Sequence, residues 1–130
     1  MSDFREAAKL KLAKAAFEYI DSGSGEEQTL KSNESSFHKL MIIPRILNST
    51  SVPDLSTNMF GRVLKLPFGF APWAMNVMCH PDGETIPAKI ANERNIMMCL
   101  SSLSSKSLGE VSETNQKGIR FMQMYVTSDW

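Results

Sequence analysis

The sequence predicts an α/β fold in which three parallel strands alternate with helices, and two observations support this prediction. Three short apolar runs, at 66–71, 96–100 and 119–126, have the length and composition of buried strands. A helical pattern follows each of the first two runs, and this alternation is typical of a βαβαβ unit. Because such a unit normally belongs to a larger sheet or barrel, we expect these 130 residues to be the opening portion of an enzyme.

Helices and a hairpin are expected before the strands. A helix is predicted over 3–21, because apolar residues recur there at spacings that place them on one face: Phe4, Ala8, Leu12, Ala15 and Tyr19. Gly23 would stop this helix, and the spacing of Ser24 and Glu27 is that of a capping box for a second one. Residues 58–66 predict a hairpin that turns near Gly61.

Two further helices are expected between the strands. One begins near Asp82 or Gly83 and holds Pro87 in its first turns, where proline is tolerated. The other covers 107–113, and a turn at 115–118 leads into the third strand.

The composition and the termini of the sequence argue against several classes of binding partner and location. The formal net charge is zero, so no broad attraction to nucleic acid or to an anionic membrane is expected. The cysteines Cys79 and Cys99 have neither metal-ligand spacing nor the number needed for a disulfide framework. The amino terminus lacks the pattern of a secretory signal, and no window has the length and apolarity of a membrane span.

The carboxyl ends of the strands hold the candidate binding residues. After the first strand come Pro72, Trp73 and Ala74, where small residues let backbone amides approach a planar ligand. A corner selected only for packing is the alternative. Ser101 and Ser102 end the second strand, where their hydroxyls would bind a heterocycle edge or cap the next helix.

The third strand places Gln123 and Tyr125 on one side, because side chains alternate with period two. An amide and a phenol on a mostly buried face need partners, since an unpaired buried polar group costs about 1–3 kcal/mol. A ligand or other polar core groups would supply them, and we favour the ligand.

The remaining titratable candidates have structural interpretations. His80 is interpreted as a turn histidine, although a general base or a metal ligand is the alternative. Asp82 and Glu84 are expected to favour a helix amino end and not to act as paired carboxylates. His38 is expected to be inert on the second helix.

These residues together resemble the family of FMN-dependent 2-hydroxy acid oxidases and dehydrogenases, typified by glycolate oxidase. The resemblance covers nearly the whole chain, in order and at matching spacings. The matching stretches are Tyr19 with Ser22-Gly23, Thr29-Leu30 with Asn33 and Phe37, Pro44-Arg45, Ala71-Pro72 with Ala74-Met75, His80-Pro81-Asp82-Gly83-Glu84, Leu100-Ser101-Ser102, Gly118-Ile119-Arg120-Phe121, and Gln123 with Tyr125-Val126.

The resemblance implies the amino-terminal part of a TIM (β/α)8 barrel over 1–130. Residues 1–66 would form the preceding helices and a hairpin that closes the bottom of the barrel, and 67–130 would form the first three barrel strands.

The resemblance also implies FMN at the carboxyl ends of the strands. The backbone of Pro72, Trp73 and Ala74 would lie against the flavin, with an amide near its reactive nitrogen. Ser101 and Gln123 would hydrogen-bond its polar edge.

For the substrate, the resemblance implies that Tyr19 helps hold the carboxylate and that Tyr125 contacts the hydroxyl or keto oxygen. Trp73 stands where the family usually has threonine, which would crowd the flavin face. Leu103 replaces a pocket-lining tryptophan of glycolate-preferring members and would leave room for a longer acid. Asn95 replaces a usual glycine, and the turn containing Gln116 is about one residue longer than is common.

The implied activity is oxidation of (S)-2-hydroxy acids to 2-oxo acids with FMN and oxygen, forming hydrogen peroxide. The family's catalytic histidine, substrate arginines and flavin-activating lysine would lie beyond the third strand, so we expect these 130 residues alone to be inactive. Family members in eukaryotes imply a peroxisomal location, with the cytoplasm as the alternative, and the full-length form is compatible with a homo-oligomer.

Two other functions remain open. One is a non-catalytic short isoform or degenerate copy with a binding or regulatory role, or none. The other discards the resemblance and keeps a small α/β binding domain.

Overall fold

The computed structural model describes residues 2–47 and 52–128, and the chain divides into two compact units at residue 52. The first unit is helical: α1 is Ser2–Lys11, α2 is Lys14–Asp21 and α3 is Gln28–Ser35, followed by a 3-10 turn at Ser36–Lys39. The second unit, from residue 53 onward, contains every strand that the structure describes. The hairpin therefore groups with the later strands, and the family-domain division after residue 66 stays a prediction.

The single helix predicted over 3–21 is wrong, because Ala13 is extended (φ −58°, ψ 142°) and separates α1 from α2. Nε of Arg5 lies 2.6 Å from Oδ1 of Asp21. In a continuous helix these residues would be about 24 Å apart, so the chain reverses between them. Alanine is the best helix former, and no local signal marks the break. A contact between residues distant in sequence accompanies it instead.

The capping box predicted at Ser24 and Glu27 is also wrong. Glu27 has a left-handed backbone (φ 55°), and α3 begins after it, at Gln28. The Glu27 carboxylate accepts a hydrogen bond from the N–H of Gly23 at 3.1 Å. It therefore stabilises the turn after α2, because the local backbone directs it away from the start of α3.

The predicted hairpin is confirmed. Strands β1 (Thr57–Met59) and β2 (Arg62–Leu64) are antiparallel. Phe60 and Gly61 form the two-residue turn with φ values of 51° and 75°. Positive φ at both positions is the geometry of the type I′ turn that favours hairpins.

The three expected parallel strands are present in the order β3-β4-β5. They are β3 (Gly69–Phe70), β4 (Met97–Leu100) and β5 (Arg120–Met122), connected by α4 (Thr85–Arg94) and α5 (Leu108–Thr114). β3 and β5 are shorter than their apolar runs. β5 ends at Met122 because its partner Leu100 ends β4.

The hydrophobic core lies between β4 and the two helices. Alternate residues Met98 and Leu100 are 4% and 2% exposed, as the pleat of a strand requires when one face is covered. They pack with Ala88 and Ala91 of α4 and Val111 of α5.

The backbones of β3 and β4 approach each other very closely at Gly69. A Cβ atom on Gly69 would overlap the carbonyl oxygen of Met97, so only glycine fits this position.

Asn95 ends α4 in the left-handed region, with φ 51°. Glycine is the usual residue at such a position and asparagine is the next most tolerant, so this departure from the family pattern fits the backbone. Asn95 also donates through Nδ2 to the Val63 carbonyl at 3.1 Å and accepts from the Lys65 N–H at 3.1 Å. These bonds join the hairpin to the amino end of β4.

Within the part of the chain that the structure describes, no helix combines the length and the apolarity needed to cross a bilayer.

Candidate functional site

The three strand ends lie side by side at one edge of the sheet, because β3, β4 and β5 are parallel and paired in register. The loops that leave this edge begin at 71, 101 and 123. We call this edge with its loops the rim. It contains the residues that the sequence predicted at the first two strand ends, and Gln123 at the third.

Gln123 links the ends of β4 and β5. Its Oε1 accepts from Oγ of Ser101 and from the backbone N–H of Ser102, both at 3.2 Å. Its carbonyl oxygen accepts from Oγ of Ser102 at 2.6 Å, and its N–H donates to the Leu100 carbonyl at 2.8 Å. The amide oxygen is therefore occupied. Among the described residues no acceptor takes the side-chain NH2, which remains available to a ligand.

Ser101 is buried, with 4% of its surface exposed, and its Oγ also accepts from the Leu103 N–H at 3.1 Å. Neither Ser101 nor Ser102 caps the following helix. Ser107 does so: it and Glu110 form a complete capping box at the start of α5. The Ser-x-x-Glu spacing was a readable signal that the sequence analysis missed.

The loop after β3 is held to the second loop through backbone N–H groups. The N–H of Met75 donates to the Leu103 carbonyl at 3.1 Å, and the N–H of Val77 donates to Oγ of Ser105 at 3.2 Å. The N–H of Ala74 meets no acceptor within the described ranges. Ala74 is half-buried, while Trp73 beside it is 46% exposed. Pro72 is exposed at the start of this loop.

A small cavity of about 50 Å³ lies behind the first two loops. Trp73, Asn76, Glu84 and Ser101 contribute to its walls. Of the predicted site residues, Trp73 and Ser101 line this cavity, whereas Ala74, Gln123 and Tyr125 do not.

Tyr125 does not share a mostly buried face with Gln123, and this prediction is wrong. Tyr125 is 62% exposed, whereas Gln123 is half-buried. Strand pairing ends at Met122, so the period-two rule does not extend to Tyr125. Leu103, on the second loop, is 56% exposed, and its carbonyl holds the first loop through Met75.

Tyr19 belongs to the helical first unit and is 51% exposed on α2. A role for Tyr19 in substrate binding stays a prediction.

Glu84 stands at the amino end of α4, as expected, but the sequence did not reveal which groups its carboxylate binds. It precedes α4 and is 1% exposed, but its side chain does not cap the helix. Oε1 accepts from the Ser105 N–H at 2.8 Å and from the Asn76 N–H at 3.2 Å, and Oε2 accepts from the Lys106 N–H at 3.0 Å. Spacing in sequence could not reveal these donors, since they lie 8 to 22 residues away.

The protonation of Glu84 follows from this environment. Burial alone would raise its pKa, but the hydrogen bonds donated by Ser105 and Asn76 outweigh burial and hold the pKa below its ordinary value of 4.5. Glu84 is thus a carboxylate that fastens the first and second loops of the rim to each other.

His80 lies in the turn before α4, and His38 belongs to the first unit. His80 accepts through Nδ1 from the Asp82 N–H at 3.2 Å, which agrees with a turn histidine. It borders a groove of about 290 Å³ along α4 that neither Ser101 nor Gln123 lines. His38 is an exposed residue of the 3-10 turn in the first unit. The described residues contain no group of three or more His, Cys, Asp or Glu side chains arranged to hold a metal.

Comparison with known proteins shows the family to which this chain belongs. The family model of FMN-dependent dehydrogenases matches residues 8–130. The chain is 40% identical over 127 residues to glycolate oxidase 1 of Zea mays, and 36% identical over 129 residues to glycolate oxidase of Spinacia oleracea. These alignments cover 98% and 99% of this chain but only 34% and 35% of the relatives, so the chain spans about a third of their length.

Solved structures agree. A protein described as a lactate oxidase from Pediococcus acidilactici superposes with a TM-score of 0.91 at 32% identity, over 99% of this chain and 36% of that one. A mandelate oxidase superposes with a TM-score of 0.87 at 30% identity, over 98% and 38%. The fold is therefore that of a class of flavin enzymes. This chain belongs to the FMN-dependent dehydrogenase family, whose cofactor is FMN.

Proposed function

We propose that this chain forms the flavin-facing, amino-terminal part of an oxidase that converts (S)-2-hydroxy acids to 2-oxo acids. Glycolate, lactate and mandelate, which appear in the names of its relatives, are all 2-hydroxy acids. The reaction removes two electrons and two protons from the hydroxyl-bearing carbon and its oxygen, and molecular oxygen receives them as hydrogen peroxide.

One observation carries the proposal: unpaired donors from the first and third loops stand at the same rim. The N–H of Ala74 and the NH2 of Gln123 have no acceptor within the part of the chain that the structure describes. Flavin is a planar heterocycle with nitrogen and carbonyl acceptors along its edge. The donor set therefore fits FMN, and the absence of a Cβ branch at Ala74 permits close approach of the backbone.

In this proposal Pro72, Trp73 and Ala74 lie along the flavin, and Ser101 and Gln123 bind its polar edge. When bound, FMN supplies the two-electron acceptor. Ser101 has one role supported by its present contacts: its hydroxyl donates to Gln123 and so leaves the Gln123 NH2 free to donate outward.

We assign contacts with the substrate to Tyr19, Tyr125 and Leu103. The phenol of Tyr125 is largely exposed beyond β5, which suits contact with a small hydroxy acid. Leu103 borders the rim with a side chain smaller than tryptophan and would admit a longer aliphatic acid. His38 and His80 take no part, and the proton-removing histidine and its arginine and lysine partners are assigned outside these 130 residues.

The proposed architecture of the complete protein rests on the same similarity to FMN-dependent oxidases. We propose that residues 67–130 supply the first three strands of a TIM barrel. Residues 1–66 supply the preceding helices and the hairpin at the bottom of the barrel. The bonds from Asn95 to Val63 and Lys65 support the last point, since they join the hairpin to the amino end of β4. A peroxisomal location and a homo-oligomeric full-length form complete the proposal.

The test uses the complete gene product that contains these residues. We expect it to purify yellow or to bind added FMN, to be bleached anaerobically by an (S)-2-hydroxy acid and to release hydrogen peroxide in air. The (R)-enantiomer is the matched control and should leave the flavin oxidised. A protein that stays colourless with FMN would defeat the proposal. The 130-residue chain alone is expected to show no turnover.

A second candidate function is non-catalytic association, and exposed apolar surface favours it. Residues after the 3-10 turn are more than three-quarters exposed: Leu40, Met41, Ile42, Ile43, Ile46 and Leu47. In the described sheet, β3 and β5 each have a single partner strand, which leaves edges that promote pairing with another chain. Copurification of the tagged short chain with full-length subunits would support this function, and its absence would count against it.

A further inference from the structure

Asn76 connects the buried Glu84 carboxylate to the peptide group that contains the unpaired Ala74 N–H. Its Nδ2 donates to Oε1 of Glu84 at 3.1 Å and to the carbonyl oxygen of Trp73 at 2.8 Å. A side-chain amide has two N–H groups, and both are used here. The Trp73 carbonyl therefore has a fixed partner in Asn76, the first residue of a short 3-10 helix, Asn76–Met78.

The Trp73 carbonyl and the Ala74 N–H belong to one peptide unit. The structure contains no cis peptide among its described residues, so this unit is planar and trans, and its N–H points opposite to its C=O. Holding the carbonyl against Asn76 consequently directs the Ala74 N–H away from Glu84. The hydrogen bond to the carbonyl also polarises the peptide and makes its N–H a stronger donor.

Asn76 is itself held in place. Its backbone N–H donates to the same Oε1 of Glu84, and Glu84 is anchored by the N–H groups of Ser105 and Lys106 on the second loop. The following N–H groups, of Met75 and Val77, are paired with the second loop as well. Of four consecutive N–H groups from Ala74 to Val77, only that of Ala74 is open among the described residues.

We propose that Asn76, held by Glu84, is a positioning residue that aims the Ala74 N–H at the bound flavin and thereby strengthens FMN binding. This inference rests on the proposed function. Asn76 and Glu84 would affect the flavin only by orienting the peptide group between Trp73 and Ala74, and neither side chain would contact the flavin.

The experiment compares Asn76→Ala with Asn92→Ala in the complete gene product. Asn92 is a matched control, because its side-chain amide also supports a loop backbone, accepting from the Lys117 N–H at 3.0 Å, but away from the rim. FMN affinity is measured by fluorescence titration, the spectrum of the bound flavin by absorbance, and stability by thermal unfolding of the flavin-free protein.

Asn76→Ala is expected to weaken FMN binding about five- to tenfold and to shift the visible absorption band of the bound flavin. Asn92→Ala should lower the unfolding temperature and leave both flavin properties unchanged. Glu84→Gln should reproduce the effect of Asn76→Ala, and the double variant should add little, since both changes break one chain of contacts. If Asn76→Ala does not fold, Asn76→Ser replaces it in the experiment. Serine is a milder change, because it keeps a hydroxyl donor, but its side chain is too short to reach both Glu84 and the Trp73 carbonyl.

Three results overturn the inference. If the wild-type protein binds FMN and Asn76→Ala matches it in affinity and spectrum, the positioning role is absent while the proposed function stands. If Asn92→Ala changes flavin binding as much as Asn76→Ala, the effect is general destabilisation. A wild-type protein that never binds FMN overturns the proposed function itself, together with the inference.

Discussion

Oγ of Ser101 donates to Oε1 of Gln123 over 3.2 Å and so connects the carboxyl ends of two neighbouring strands. The two residues are 22 positions apart in the sequence. Their contact orients the Gln123 amide with its oxygen toward the end of β4, and its NH2 has no acceptor among the described residues. The same contact therefore builds the rim and leaves a donor for a ligand.

Gln123→Glu separates these two roles, because glutamate keeps an acceptor for Ser101 and Ser102 but loses the NH2 donor. We expect FMN binding to weaken about tenfold with little change in unfolding temperature. Fluorescence titration measures the affinity. Gln116→Glu, in the exposed turn before β5, is the control and should bind FMN like the wild type. Equal affinity in both variants would remove Gln123 from the cofactor site.

Stability should depend on pH through Glu84. Its pKa is lowered in the folded protein, so its stabilising contribution is complete above the ordinary value of 4.5 and is lost as pH falls through the folded pKa. Glu84→Gln is expected to lower the unfolding free energy by about 2 kcal/mol at pH 7, since an amide cannot accept from every donor that faces the carboxylate. This difference from wild type should shrink below about pH 4.5.

Chemical denaturation of the flavin-free complete protein at a series of pH values measures this difference. Glu93→Gln, an exposed position on α4, is the control and should show a small effect at every pH. A Glu84→Gln penalty that stays constant down to pH 3 would contradict a role for the ionised carboxylate.

Leu103 is expected to set the length of acid that the enzyme accepts. Leu103→Trp should lower kcat/KM for a long aliphatic 2-hydroxy acid about tenfold relative to glycolate, because the larger ring fills space that the chain of the acid occupies. Steady-state kinetics on a series of acids measures the ratio. Leu108→Trp, similarly exposed on α5, should leave the ratio unchanged. An unaltered ratio in Leu103→Trp would exclude Leu103 from the pocket.

The backbone of Asn95 gives a stability prediction that needs no cofactor. Asn95→Ala should destabilise the protein by about 1–2 kcal/mol, because alanine disfavours the left-handed conformation and lacks the bond to Val63. Asn95→Gly should cost less, since glycine adopts this conformation freely and loses only that bond. Thermal and chemical unfolding measure the order, and a glycine variant less stable than the alanine variant would contradict it.

The sequence by itself determined the order of elements and the family. Apolar runs at the strands, Gly61 in the hairpin turn and the helical spacing of 107–113 act locally, so each could be recognised from neighbouring residues. Ser101 and Gln123 could be placed at one rim for a related reason: the carboxyl ends of parallel strands always share an edge.

Only the tertiary structure decided how the loops at that rim are fastened. The chain reversal between α1 and α2 accompanies an ion pair of Arg5 with Asp21, and no local propensity predicts it. Glu84 was expected at a helix end, yet its carboxylate collects N–H donors from Asn76, Ser105 and Lys106. Periodicity encodes which way a side chain faces along its own element. A hydrogen bond between separate loops depends on where folding brings those loops, and that arises only when the core between α4, α5 and β4 has formed.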